Sequence, residues 1–203
     1  VNNTITSLLL TLTFLLSSCT PIKAPVNNSY KLQSYAVHPL SKHKTSLSIL
    51  VSQPEAVAGY QTEQMLYVLK PYEITSFAHN AWISAPSSML FPLIAQSLQK
   101  TGYFYAVGAG PYVDKTDYRI DTQLIELQQN FIKKPSVIEM TANATLTHIA
   151  DARVIASRVF KYRIPCPTNT PYGGVLAANQ ATREFTANLS SFVVREVEQD
   201  VGK

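Results

Sequence analysis

From Ile138 to Thr147 apolar and polar residues alternate without a break: Ile138, Met140, Ala142, Ala144 and Leu146 against Glu139, Thr141, Asn143, Thr145 and Thr147. A period of two predicts a half-buried strand with one wet face. Asp151 then marks a tight turn, and Val154, Ala156, Phe160, Tyr162 and Ile164 supply the apolar set of a hairpin partner. Upstream, Asp117–Phe131 also alternates. Its apolar phase slips at Leu124-Ile125, as it does when a bulge adds one residue to a strand.

Shorter runs precede these. Ser46–Ala56 and Met65–Leu69 predict strands, and Lys70-Pro71 turns the chain into Tyr72–Trp82, completing an aromatic-rich hairpin. Met89, Leu90, Leu93, Ile94 and Leu98 recur at helical spacing, with Pro86 suited to the first turn and Lys100 and Gly102 to the end. Pro92 lacks a backbone donor and is expected to kink this helix. Tyr103–Val107 reads as a strand. The last element is a long helix, with Thr170 as its cap, Pro171 at its first position, and Ala178, Phe185, Leu189, Phe192, Val193 and Val197 as its buried stripe. The order of strands, helix, strands and long helix predicts an α/β fold. It consists of a single mixed β-sheet with both helices packed on it, including the long C-terminal one.

The apolar run Leu8–Leu16 is too short to span a bilayer but has the length of a signal-peptide core. It closes in Leu16-Ser17-Ser18-Cys19, a branched apolar residue and two small ones before a cysteine, as in a bacterial lipobox. Small residues let an extended segment enter a peptidase site, and the thiol is the one local side chain nucleophilic enough to take a diacylglycerol. A simple cleaved signal, or a core helix carrying a cysteine, is the other reading. Val1 to Ser7 holds no Lys or Arg, which implies an unusual start codon or a start further upstream. Thr20–Ser29 is polar and aperiodic, and extended it reaches about 33 Å. The expected organisation is a signal peptide over 1–18, an acylated Cys19 with its tether over 19–29, and a folded domain over 30–203. Thr20, in place of an aspartate after the cysteine, favours the outer membrane.

The 203 residues suit one domain, and 46% hydrophobic against 15% charged residues is enough to bury a core. A net charge of +4 fits an anionic membrane surface or an acidic partner and is too weak to argue for nucleic acid. The search for chemistry is mostly negative. The chain has no GxxxxGK[ST], GxSxG or HExxH, and its two cysteines make no CxxC pair. The four histidines have no ligand-like spacing, and His148 reads as a hydrogen-bonded histidine at the core or its rim. No cofactor or metal site is expected. With Cys19 acylated, Cys166 is left as a free thiol.

Three features bear on binding. Tyr67, Tyr72, Phe77 and Trp82 of the aromatic hairpin are either ordinary core or a partner-binding surface. Arg153, Lys161 and Arg163 lie opposite an apolar set, as a solvated sheet face or a basic patch. Tyr172-Gly173-Gly174 opens the last helix, either for close packing or to hold an anion.

Taken together, Gly59–Phe104, Asp117–Phe131, Pro171–Thr182 and the lipobox resemble the ABC-type transport auxiliary lipoprotein family. The combination of YEITSFAHNAWISAP with PYGGVLAANQA is its most specific part. The resemblance implies a periplasmic, non-catalytic domain lipid-anchored to the outer membrane. Its partners would be an MCE-domain lipid-binding protein and an ABC permease and ATPase complex that moves lipid between membranes. Homo-oligomerisation is left open, and only Cys19 transfers residue by residue, as the lipidation site. Two rival classes remain. One is a lipoprotein of another envelope process, such as activation of cell-wall synthesis; the other is a periplasmic hydrolase.

Overall fold

The alternation over 138–147 becomes the centre of a long antiparallel meander. In a computed structural model, which describes residues 27–110 and 115–202, β7 (Tyr118–Asn130), β8 (Val137–His148) and β9 (Arg153–Pro165) run side by side. The other edge of β7 is shared end to end by three short strands, all parallel to it. These are β2 (Ser48–Val51) at its start, β3 (Glu55–Ala56) at its middle and β4 (Gln64–Val68) at its end. Outside them lie β6 (Ala106–Ala109) parallel to β2, β5 (Thr75–Trp82) antiparallel to β4, and β1 (Asn28–Tyr30) parallel to β5. The result is one mixed sheet of nine strands among the described residues.

Both helices, α1 (Pro86–Lys100) and α2 (Pro171–Val201), cover the same face of this sheet. Between them and the strands sit the fully buried Ile49, Leu90, Ile94, Leu98, Ile120, Leu124, Met140, Leu146, Phe185 and Leu189. The stripe expected along α2 is buried at every position named. Small hydroxyl residues let the helices approach each other: Ser97 Oγ lies 2.9 Å from Ser190 Oγ and donates to the Thr186 carbonyl at 3.2 Å. The segment after β1 is strapped across α2. Asn179 takes the Gln33 amide at 2.9 Å, and Thr186 Oγ1 takes that of Ala36 at 2.9 Å.

The bulge expected near Leu124-Ile125 is present, as a register shift between Leu124 and Glu126. Several boundaries differ from the sequence reading. Ser46–Ala56 is two strands, because Pro54 cannot donate to a ladder and the chain re-enters the sheet only at Glu55. The strand expected over Tyr103–Val107 starts at Ala106, since Tyr103 and Phe104 turn inward and pack edge to face at 5.0 Å. Val154 is exposed, not part of the apolar set. A second register shift opposite Leu146 and Thr147 puts it out of phase with Phe160 and Ile164. α1 runs unbroken through Pro92, whose ring sits on the exposed side. Asn28–Tyr30, assigned by sequence largely to the tether, is a strand. Residues 1–26, including Cys19, lie outside the described residues.

Candidate functional site

The helices leave the other face of the sheet open, and the bulge in β7 decides what stands on it. Before the bulge Tyr118, Ile120 and Leu124 point to the helices, and after it Leu127 and Gln129 do. One extra residue therefore keeps apolar side chains inside and puts Glu126, Gln128 and Asn130 on the open face, beside Glu139 and Thr141 of β8 and Lys161 and Arg163 of β9.

These side chains form one polar network. Gln128 Nε2 donates to Glu126 at 2.8 Å and to Glu139 at 3.2 Å, and Asn130 Nδ2 also donates to Glu139 at 3.2 Å. The Thr141 hydroxyl donates to Glu126 at 3.1 Å, and the Tyr60 hydroxyl to Gln128 Oε1 at 2.8 Å. Glu139 is nearly buried and pairs with the exposed guanidinium of Arg163 at 2.8 Å. Burial, then the carboxylates of Glu126 and Glu139, push the Tyr60 phenol up to about 12, so it stays a donor at any physiological pH. Glu126, Glu139, Thr141, Lys161 and Arg163 line a shallow concavity of about 490 Å³. The carboxylate oxygens are occupied by amide, hydroxyl and guanidinium donors. The arrangement holds a shape and presents donors and charge.

A second concavity, of about 390 Å³, adjoins the first at Glu126 and runs to the β4–β5 turn, where Tyr72, Ile74 and Ile132 form its wall. The four hairpin aromatics part company here. Trp82 is buried in the core. Tyr67 and Phe77 are half-buried and stack at 4.4 Å, with Phe131 of the β7–β8 loop closing the cluster at 6.0 and 6.2 Å. Tyr72 alone is fully exposed, held out at a φ of 67°, in the left-handed region that non-glycine residues seldom enter.

The remaining candidates resolve into supporting roles. Arg153 does not share a face with Lys161 and Arg163. It reaches the end of α2, pairing with Asp200 at 2.8 Å, and also binds Asp151, to which His148 is bonded at 2.8 Å. At the start of α2 the Gly173 amide donates to Thr170 Oγ1 at 3.1 Å and the Gly174 amide to the Thr170 carbonyl at 3.1 Å. A side chain at Gly173 would collide with Thr168, and one at Gly174 with the amide of Gln129. The glycines therefore serve close packing. Cys166 is a free, buried cysteine.

The network of Tyr60, Glu126, Gln128 and Glu139 was not legible beforehand. The signal existed: past the bulge, Glu126, Gln128 and Asn130 keep a period of two. What pairs with them comes from β8, β9 and the loop before β4, up to 68 residues away in sequence. The loop residues Ile132, Lys133 and Lys134, which flank the exposed hairpin turn, were missed for the same reason.

A family model described as the ABC-type transport auxiliary lipoprotein component matches residues 30–190. No curated protein matches the sequence. Among solved structures, protein XCC0632 from Xanthomonas campestris is 20% identical. It superposes with a TM-score of 0.79 over 87% of this chain and 100% of its own. A hypothetical protein from Chlamydia trachomatis, 8% identical, gives 0.51 over 73% of this chain and 98% of its own. At these identities the structural likenesses establish the fold. Among the described residues no helix is long and apolar enough to cross a membrane, which says nothing about β-barrels.

Proposed function

Because the chain belongs to the ABC-type transport auxiliary lipoprotein family, we propose that it is a lipid-anchored accessory subunit of an ABC-type lipid transport system, acting by binding and assembly. The observation that carries this reading is the family match over residues 30–190, standing directly downstream of a lipobox at Leu16–Cys19. Acylated Cys19 would hold the domain on the periplasmic side of the outer membrane, and an MCE-domain lipid-binding protein and an ABC permease with its ATPase would be its partners.

Three of the four hairpin aromatics serve the core or its margin, so the protein partner is assigned to the open sheet face. Interfaces favour arginine and tyrosine on pre-formed, hydrogen-bonded surfaces, and this face offers Arg163, Lys161 and Tyr60 around a rigid network. The test joins two measurements. Mass spectrometry of the membrane-extracted protein should show cleavage before Cys19 and an added diacylglycerol. Affinity purification of the same protein from detergent extract should recover MCE-type and permease subunits, and recovery should fall with Lys161→Glu and Arg163→Glu together. Recovery of cell-wall synthases instead would transfer the protein to the rival class. An unmodified Cys19 would remove the anchor.

A further inference from the structure

At one end of the sheet, two neighbouring loops expose apolar side chains. The β4–β5 turn presents Leu69, Tyr72 and Ile74, and the β7–β8 loop presents Ile132; all four are exposed by 45% or more. Exposed apolar residues are ordinary when scattered, but Tyr72, Ile74 and Ile132 line one concavity and so belong to one patch. The loops are joined beneath by the Tyr67–Phe77–Phe131 cluster and by the Phe131 amide donating to the Val68 carbonyl at 2.9 Å. The patch is therefore carried on a stiff base.

Lysines surround it. Lys70 is balanced by Glu73 at 3.6 Å, while Lys133 and Lys134 lie exposed on the other loop. Glu126 sits deeper in the same concavity and is bonded to Gln128 and Thr141. The rim thus carries a positive excess around a protruding tyrosine and three aliphatic side chains. A tyrosine with aliphatic neighbours and flanking lysines is the side-chain chemistry that partitions into the headgroup region of an anionic bilayer.

The anchor is within range of the tip. β1 runs parallel to β5 and away from the tip, pairing with the last three residues of β5, so the described chain joins the sheet about 20 Å from the patch. Seven residues lie between Cys19 and Asn27, and their eight Cα-to-Cα steps reach at most about 28 Å, enough to span that distance. We infer that the tip formed by Leu69, Tyr72, Ile74 and Ile132, with Lys133 and Lys134, docks on the surface of a bilayer containing anionic phospholipid. The anchor and the tip then make two attachments, which orient the domain with its open polar face exposed at the side. This inference rests on the lipid-anchor reading.

The experiment uses the mature, lipidated full-length protein reconstituted into vesicles of phosphatidylethanolamine and phosphatidylglycerol. A parallel set of vesicles carries lipids brominated near the headgroup end of their acyl chains. The one native tryptophan, Trp82, is buried and serves as a silent reference, and Tyr72→Trp adds a reporter at the tip. The added emission should be blue-shifted and quenched by the brominated lipid. Adding Lys133→Glu and Lys134→Glu should lower the engagement equilibrium by roughly tenfold or more, as should replacing phosphatidylglycerol by phosphatidylcholine. Co-sedimentation without quenching would refute docking of the tip while leaving the anchor intact, and would hand the patch to a protein partner. Failure to co-sediment would refute anchor and tip together. Quenching that ignored both lysines and lipid charge would refute the electrostatic half of the inference.

Discussion

Gln129 should decide whether a methyl group at position 174 stabilises or destabilises this protein. The side chain of Gln129 is buried, and its Nε2 faces Ser136 Oγ at 3.0 Å, the Thr170 carbonyl at 3.2 Å and Cys166 Sγ at 3.6 Å. It ties the end of β7, the base of the β7–β8 loop and the start of α2 into one joint, directly under the exposed tip. Gly174 lies against the amide, and a Cβ there would meet the amide carbon at 2.9 Å and its oxygen closer still. In an unobstructed helix Gly→Ala gains about 0.8–1 kcal/mol. Forcing a methyl into this joint costs about 1–3 kcal/mol in displaced packing, so Gly174→Ala should be net destabilising. Gln129→Ala alone should cost about 1–3 kcal/mol, by removing the donor to the buried Ser136 hydroxyl, while the Thr170 carbonyl keeps the Gly174 amide. In the double variant the obstruction is gone, and the second substitution should turn neutral or stabilising. The expected coupling equals the obstruction relieved, about 1–3 kcal/mol. Urea unfolding of the four proteins reads it, and each kcal/mol lost should lower Tm by about 2–4 °C for a chain of this size. If Gly174→Ala stabilised the wild type, or cost the same in both backgrounds, the close-packing account of the helix start would be wrong.

Two further outcomes follow from the same structure. Burial pushes the Cys166 thiol up, so a thiol reagent should label the native protein slowly. After denaturation the mature form should yield one thiol per chain; two would mean that Cys19 is not acylated. The acid limb should be steep, because three aspartates are held below their ordinary range. Asp117 is lowered chiefly by the Ser48 hydroxyl, Asp200 by Arg153, and Asp151, chiefly by His148, to about 2. A carboxyl lowered in the folded state stabilises it above the unfolded value of about 4 and loses that contribution as pH falls through the folded value. Unfolding free energy should therefore drop between about pH 4 and pH 2, and Asp117→Asn should flatten that limb; an unchanged slope would contradict the assignment.

Periodicity alone determined the long elements. The strict alternation over 138–147 and the helical stripe from Ala178 to Val197 each have one solution that buries the apolar set, and each is found as expected. The slip at Leu124-Ile125 was legible because a bulge is a local count of residues. The cap at Thr170 and the two glycines after it were legible because helix starts are satisfied by their own neighbours. The short strands were less so. Ser48–Val51, Glu55–Ala56 and Asn28–Tyr30 exist because β7 and β5 offer them an edge, which no window of sequence contains. The candidate site lies furthest from local pattern. Whether an aromatic of the hairpin is core or surface depends on what packs against it. Trp82 and Tyr72 are ten residues apart in one turn and strand, yet one lies under the sheet and the other stands free in solvent. The Glu126–Gln128–Glu139 network and the lysine-flanked tip each need two or more strands brought side by side. Hydrogen bonds and charge act over a few ångströms in space, and only the tertiary fold decides which distant residues share that space.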